Sequence, residues 1–180
     1  FKGACAYTTD DFLGRLNIPK SIKLAVMVDV SDLLRNEGPK ESSLEKVFKP
    51  ASDSSVHLVR LATHAMDLEE ALSIGVWLKK KGYVVALNLM QISEFSTDDI
   101  SKYASMVAVS EAIDVLYFAD SMGSLGPARV IEIVVAIREA WEGAIGIHTH
   151  DNLGLAMENT LRAINQGVVW VDSTVTGMGR

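Results

Sequence analysis

Two histidines one residue apart, His148 and His150, follow the apolar run Gly143-Ala144-Ile145-Gly146-Ile147 and precede Asp151-Asn152-Leu153-Gly154. Side chains alternate across a β-strand, so both imidazoles face one side while Ile147 and Thr149 face the other; a helix would part them. The apolar run reads as a buried strand and the polar residues after it as turn and cap chemistry, which puts the pair at the strand's C-terminal end. In α/β folds that end is where ligands bind. Paired imidazoles near a carboxylate can hold a divalent transition metal. The alternative at this point is a pair of hydrogen-bonded histidines closing a strand.

The elements that must carry such a pair follow from periodicity. Continuous apolar runs predict buried strands over 23–30, 57–62, 84–90 and 115–119, then the histidine strand, then 168–175. Between them lie helical stretches with start and stop signals. Asp67 with Glu70 opens one that Gly82 stops, and Ser96-Thr97-Asp98-Asp99 opens the next, running to about Ala112. Pro127 suits the first turn of the one after, and a last helix runs over 153–166 before Gly167. A short helix capped by Thr8 or Thr9 is expected before Pro19, and 31–50 reads as a short helix and a loop around Gly38-Pro39.

Six strand–helix units at a spacing near 31 residues match a (β/α)8 TIM barrel, where ~250 residues are shared by eight units. A doubly wound sheet also alternates. Polar residues gather at nearly every strand's C-terminal end (Asp29, Thr63 and His64, Asn88 and Gln91, Asp120 and Ser121, Asp172 and Thr174), as a barrel mouth requires, and no G-x-G-x-x-G follows the first strand. The expectation is an α/β chain in which residues 1–180 form a partial TIM-barrel catalytic domain. About six βα units are present, with the first two strands and the C-terminal part outside these residues. Open strand edges favour a homo-oligomer.

Composition narrows the partners. With 48% hydrophobic residues among 180 the chain has the makings of a large core, and a net charge of -6 disfavours nucleic acid and anionic membrane surfaces. No apolar run is long enough to span a bilayer. A single cysteine, Cys5, fits a reducing cytoplasm and a packing role.

The strings His148-Thr149-His150-Asp151-Asn152-Leu153-Gly154-Leu155-Ala156, Glu158-Asn159-Thr160 and Val171-Asp172-Ser173-Thr174-Val175-Thr176-Gly177-Met178-Gly179 resemble the pyruvate-type metal-dependent aldolase and lyase superfamily, the hydroxymethylglutaryl-CoA lyase-like TIM barrels. Val59-Arg60-Leu61-Ala62-Thr63-His64 and Phe118-Ala119-Asp120-Ser121 are similar to strings of its 4-hydroxy-2-oxovalerate aldolase branch. The resemblance implies a divalent cation, manganese or magnesium, on His148, His150 and an aspartate of the first barrel strand. It also implies a 2-oxoacid substrate cleaved to pyruvate and an aldehyde, with the charge on the nascent enolate oxygen met by a fixed cation. Some relatives pass their product to an aldehyde dehydrogenase partner. Ser121 matches the position that contacts the pyruvate carboxylate. The Arg-Asp string of the first strand and the catalytic histidine beyond it are absent from these residues, so the activity is an expectation for the parent polypeptide.

Around this site, His64 faces substrate, a bound water or a structural neighbour, and Asp120 either accepts from a ligating histidine or caps a loop. Asp151 and Asn152 read as caps, and Trp77, Trp141 and Trp170 as packing. Two other functions fit the same residues: a Claisen-type acyl-CoA lyase or synthase with the same metal pair, and a non-catalytic barrel fragment.

Overall fold

A computed structural model describes residues 10–35 and 40–174. Its elements are α1 (Asp10–Leu13), β1 (Leu24–Asp29), α2 (Val30–Leu34), α3 (Lys40–Val47), β2 (Val56–Thr63), α4 (Leu68–Lys80), β3 (Val84–Leu89), α5 (Thr97–Ser110), β4 (Val115–Asp120), α6 (Pro127–Arg138), β5 (Ala144–Thr149), α7 (Ala156–Asn165) and β6 (Trp170–Val171). The strands pair in parallel in the order β1-β2-β3-β4-β5-β6. A doubly wound sheet reverses its strand order at a switch point, and this one never does. The sheet is an arc of a TIM-like barrel, as expected.

The strands have two buried faces. Val59, Leu61, Val85, Leu87, Leu116, Phe118, Ile145 and Ile147 pack outward under the helices in one large cluster. Their alternates Leu58, Ala86, Val115 and Tyr117 form a small separate cluster on the concave side. The concave face also carries a bond from Arg60, within β2, to Asp172, just past β6, at 2.6 Å. Strands lie about 4.8 Å apart, so a flat sheet would separate β2 from β6 by roughly 19 Å. The contact therefore requires the sheet to curl. Ile147, 1% exposed on the outer face, supplies a packing test: Ile147→Val should cost about 1 kcal/mol, read as a lower denaturant midpoint at unchanged slope.

Several local signals appear as expected. Ser96 and Asp99 form a reciprocal capping box on α5, and Pro127 opens α6. Gly82, at φ +91, follows the C-cap of α4, and its amide donates to the Lys79 carbonyl. The side-chain and backbone hydrogen bonds from Ser96 hold the Asp99 carboxyl below its usual value of 3.8. The sign follows from that depression: the box stabilises α5 above that pH and weakens as pH falls through the lowered value. An acid titration should therefore loosen α5 amide protection more in the parent than in Ser96→Ala, which lacks the bonds that depress Asp99.

Other elements differ from the expectation. Residues 31–50 hold two helices, α2 and α3, because the Asp29 side chain accepts from the Ser31 amide and caps the first. Asp67 occupies the N-cap position of α4 but makes no side-chain cap bond. The last helix starts at Ala156 rather than 153, because Asp151 Oδ1 accepts from the Ala156 amide and Gly154, at φ +69, closes a turn onto the Asp151 carbonyl. β6 comprises only Trp170–Val171 of the predicted 168–175. Thr8, Thr9, Cys5, Gly38-Pro39, Val175 and the Gly177-Met178-Gly179 loop lie outside the described residues. No helix among the described residues is long and apolar enough to cross a membrane.

Candidate functional site

The site grows from the end of β5. His148 is its penultimate residue, and His150 lies just beyond its last, Thr149. Their Nε2 atoms approach to 3.2 Å with the rings inclined at 76°. Two nitrogens held about 2.0–2.1 Å from one cation, at angles between octahedral and tetrahedral, lie roughly 2.8–3.4 Å apart. The pair thus has the separation of two ligands of one ion. No cluster of three or more His, Cys, Asp or Glu able to hold a metal occurs among the described residues.

Behind the pair stands Asp172. Its Oδ2 accepts from His148 Nδ1 at 2.6 Å and from Arg60 Nη1 at 2.6 Å. Burial pushes the Asp172 carboxyl up, but the His148 bond and the Arg60 guanidinium outweigh it and hold the group below its usual range. An ionised carboxylate only accepts, so the His148 Nδ1 facing Asp172 is the donor. In the neutral ring that leaves the Nε2 lone pair facing His150, where both Nε2 atoms can serve as ligands.

Arg60 is itself held from two further sides. Its Nη2 donates to Asn88 Oδ1 at 2.7 Å, and its guanidinium carbon lies 3.8 Å from the Tyr117 ring centroid. Burial, with the Asp172 charge adding to it, pushes the Tyr117 hydroxyl up to about 12, so that ring stays neutral. Tyr117 has room because its register partner on β5 is Gly146.

The other predicted residues sit on neighbouring rims. Asp120 is 1% exposed, and its two oxygens accept from the backbone amides of Ser124 and Leu125. The carboxylate that accepts from His148 is Asp172, and Asp120 closes the loop after β4. The Asn159 side chain donates to the Leu125 carbonyl, so this loop is pinned from both sides. Ser121 opens it, and its Oγ accepts from the Gln91 amide at 3.1 Å. Asp120 lies beside Thr149 in the ladder, so Ser121 leaves the sheet at the level where His150 leaves β5. His64 follows β2, where its carbonyl accepts from the Asp67 amide and from Thr63 Oγ1; no hydrogen bond joins its ring to His148 or His150. Asp120→Asn should cost about 1–2 kcal/mol, because one of the two loop amides then faces a donor at a buried side chain, and thermal unfolding measures it.

Sequence reasoning missed Arg60, Asn88 and Tyr117 as a group and placed Asp172 only as a strand-end polar residue. The available signal was an arginine inside an apolar strand, since a charge there needs a partner.

Known proteins resemble this chain over most of its length. The chain is 34% identical over 134 residues to a 4-hydroxy-2-oxovalerate aldolase of Brevibacillus brevis, a match covering 74% of this chain and 39% of that protein. It is 29% identical over 162 residues to 4-hydroxy-2-oxovalerate aldolase 2 of Rhodococcus opacus, covering 89% and 46%. The chain thus spans less than half the length of these relatives. Among solved structures, the N-terminal domain of a candidate aldolase from Bacteroides vulgatus superposes with a TM-score of 0.76 at 27% identity, over 88% of this chain and 50% of that one. The carboxyl transferase domain of Rhizobium etli pyruvate carboxylase shares the fold at 21% identity and a TM-score of 0.61, over 68% and 22%. The family model for HMGL-like proteins matches residues 15–180, and the chain belongs to the HMGL-like family.

Proposed function

We propose that the full-length protein is a divalent-metal-dependent carbon–carbon lyase that cleaves a 4-hydroxy-2-oxoacid to pyruvate and an aldehyde. The observation that carries this reading is the 3.2 Å approach of the His148 and His150 Nε2 atoms, with Asp172 fixing the first of them from behind. The names of the aldolase relatives support the substrate class. His148 and His150 would hold manganese or magnesium, with an aspartate from outside these residues completing the set. When bound, the cation supplies Lewis-acid stabilisation of negative charge developing on an oxygen.

This chain's own residues bind and orient. Ser121, on the loop that Asp120 and Asn159 pin, offers a hydroxyl and a backbone amide toward the substrate carboxylate. His64, on the β2 rim, faces the same mouth. Cleavage breaks the bond between C3 and C4: the 4-hydroxyl gives up its proton and becomes the aldehyde, and the electron pair passes to C3, which takes up a proton to give pyruvate. The released aldehyde suits an aldehyde dehydrogenase partner.

The test is product analysis on the full-length protein supplied with manganese. We expect pyruvate and aldehyde in equal amounts from 4-hydroxy-2-oxovalerate, lost on chelation and restored by manganese. A shorter acyl-CoA released from a hydroxyacyl-CoA, or free CoA released on condensing an acyl-CoA with a 2-oxoacid, with no pyruvate from the hydroxy acid, would replace this reading with a Claisen-type lyase or synthase. Turnover of neither substrate would make the barrel non-catalytic.

A further inference from the structure

We propose that Arg60 is a positioning residue for the metal pair: by fixing Asp172 across the barrel it sets the orientation and tautomer of His148. This inference rests on the metal-ligand reading of His148 and His150.

The argument begins with what holds Asp172. β6 is two residues long, and its ladder to β5 ends at Ile147 and Val171. Past that point the backbone contributes one long bond, from the Asp172 amide to the Ile147 carbonyl at 3.3 Å. The backbone places Asp172 but does not choose among the staggered rotamers of its carboxylate. Arg60 selects one: its Nη1 and His148 Nδ1 converge on the same oxygen, Oδ2.

Arg60 can do this because it is immobilised. It stands mid-strand on β2 between the buried Val59 and Leu61, with its side chain 12% exposed. Asn88 on β3 takes the other prong of the fork, and the Tyr117 ring on β4 supports its flat face. Three neighbouring strands thus aim one guanidinium at an atom that touches the histidine. A buried ion pair is often no more stabilising than apolar residues of the same volume. This pair earns its place through where it puts His148.

A structural strut between β2 and β6 would predict a stability loss alone; positioning predicts a loss that passes through Asp172. The experiment uses the full-length protein as parent, Arg60→Met, Asp172→Asn, the double variant and His148→Ala. Manganese affinity is measured by calorimetry, and the His148 tautomer by nitrogen chemical shifts of isotope-labelled metal-free protein. Arg60→Met should weaken manganese binding about 10- to 100-fold, as changes behind a ligand do. It should also convert the single Nδ1–H tautomer of His148 to a mixture. In the Asp172→Asn background the same change should weaken binding by about twofold or less, because the path is already cut.

Parent-like affinity and tautomer in Arg60→Met would overturn the proposal, as would an equal loss in both backgrounds. If Arg60→Met fails to fold, Arg60→Lys takes its place: it keeps the charge, loses the fork, and should show the tautomer mixture with a thermal midpoint near the parent's. Unchanged manganese affinity in His148→Ala would refute the metal reading itself. The metal-free tautomer then still decides whether Arg60 positions His148.

Discussion

Replacing either His148 or His150 with alanine is expected to lower the manganese affinity of the full-length protein by on the order of 1000-fold, beyond the 10- to 100-fold typical of residues that only support a ligand. The reason is geometric. The two Nε2 atoms face one point 3.2 Å apart, so losing either leaves one imidazole and removes the chelate. Stability should change little, because both residues are only partly buried at a rim and neither belongs to the apolar clusters. Calorimetric titration with manganese, beside circular dichroism and thermal unfolding, separates the two effects. Binding equal to the parent's in both variants would show that the pair is a hydrogen-bonded strand terminus. The variants should also differ from each other. His148→Ala strips one of the two donors from Asp172 Oδ2 and leaves the Arg60 bond in place, whereas His150→Ala leaves the Asp172 network whole.

Much of this was legible in the sequence because the relevant information is local. Alternation along 144–149 aims His148 at the concave face, and apolar runs mark the strands whose ladder confirms the barrel winding. Ser96 with Asp99, and Gly82, declare helix ends within a few residues of themselves. What stayed hidden depends on distance along the chain. Asp120 and Asp172 are both aspartates at strand ends, and nothing within either segment says which one reaches a histidine on β5. The answer lies in loop lengths. The five residues from Asp120 to Leu125 let its carboxylate turn back onto its own loop, whereas Asp172 stands on the adjacent strand in the position to meet His148. Arg60 and its partner are 112 residues apart. Its neighbours Val59 and Leu61 spell a buried strand so clearly that the charge between them was read as part of a family string rather than as a question about what neutralises it.

The same concave face yields the second large effect, at a residue with no side chain. A Cβ built on Gly146 falls 2.5 Å from three carbons of the Tyr117 ring, closer than any real contact of that kind. The ring has little room to swing clear, because Tyr117 is 4% exposed and the Arg60 guanidinium carbon already lies 3.8 Å from the ring centroid. Gly146→Ala should therefore cost about 3 kcal/mol, the upper part of the range for overpacking, and should weaken manganese binding as well, since a displaced ring no longer supports the arginine that holds Asp172. Pairing it with Tyr117→Leu tests the mechanism: the smaller side chain makes room for the methyl group, so the double variant should be more stable than the sum of the two single losses predicts. Its manganese affinity should nevertheless stay low, because leucine gives Arg60 no aromatic face. Strict additivity in stability would mean that Gly146 and Tyr117 do not share the space described. Recovery of affinity in the double variant would mean that Arg60 holds its place without the ring.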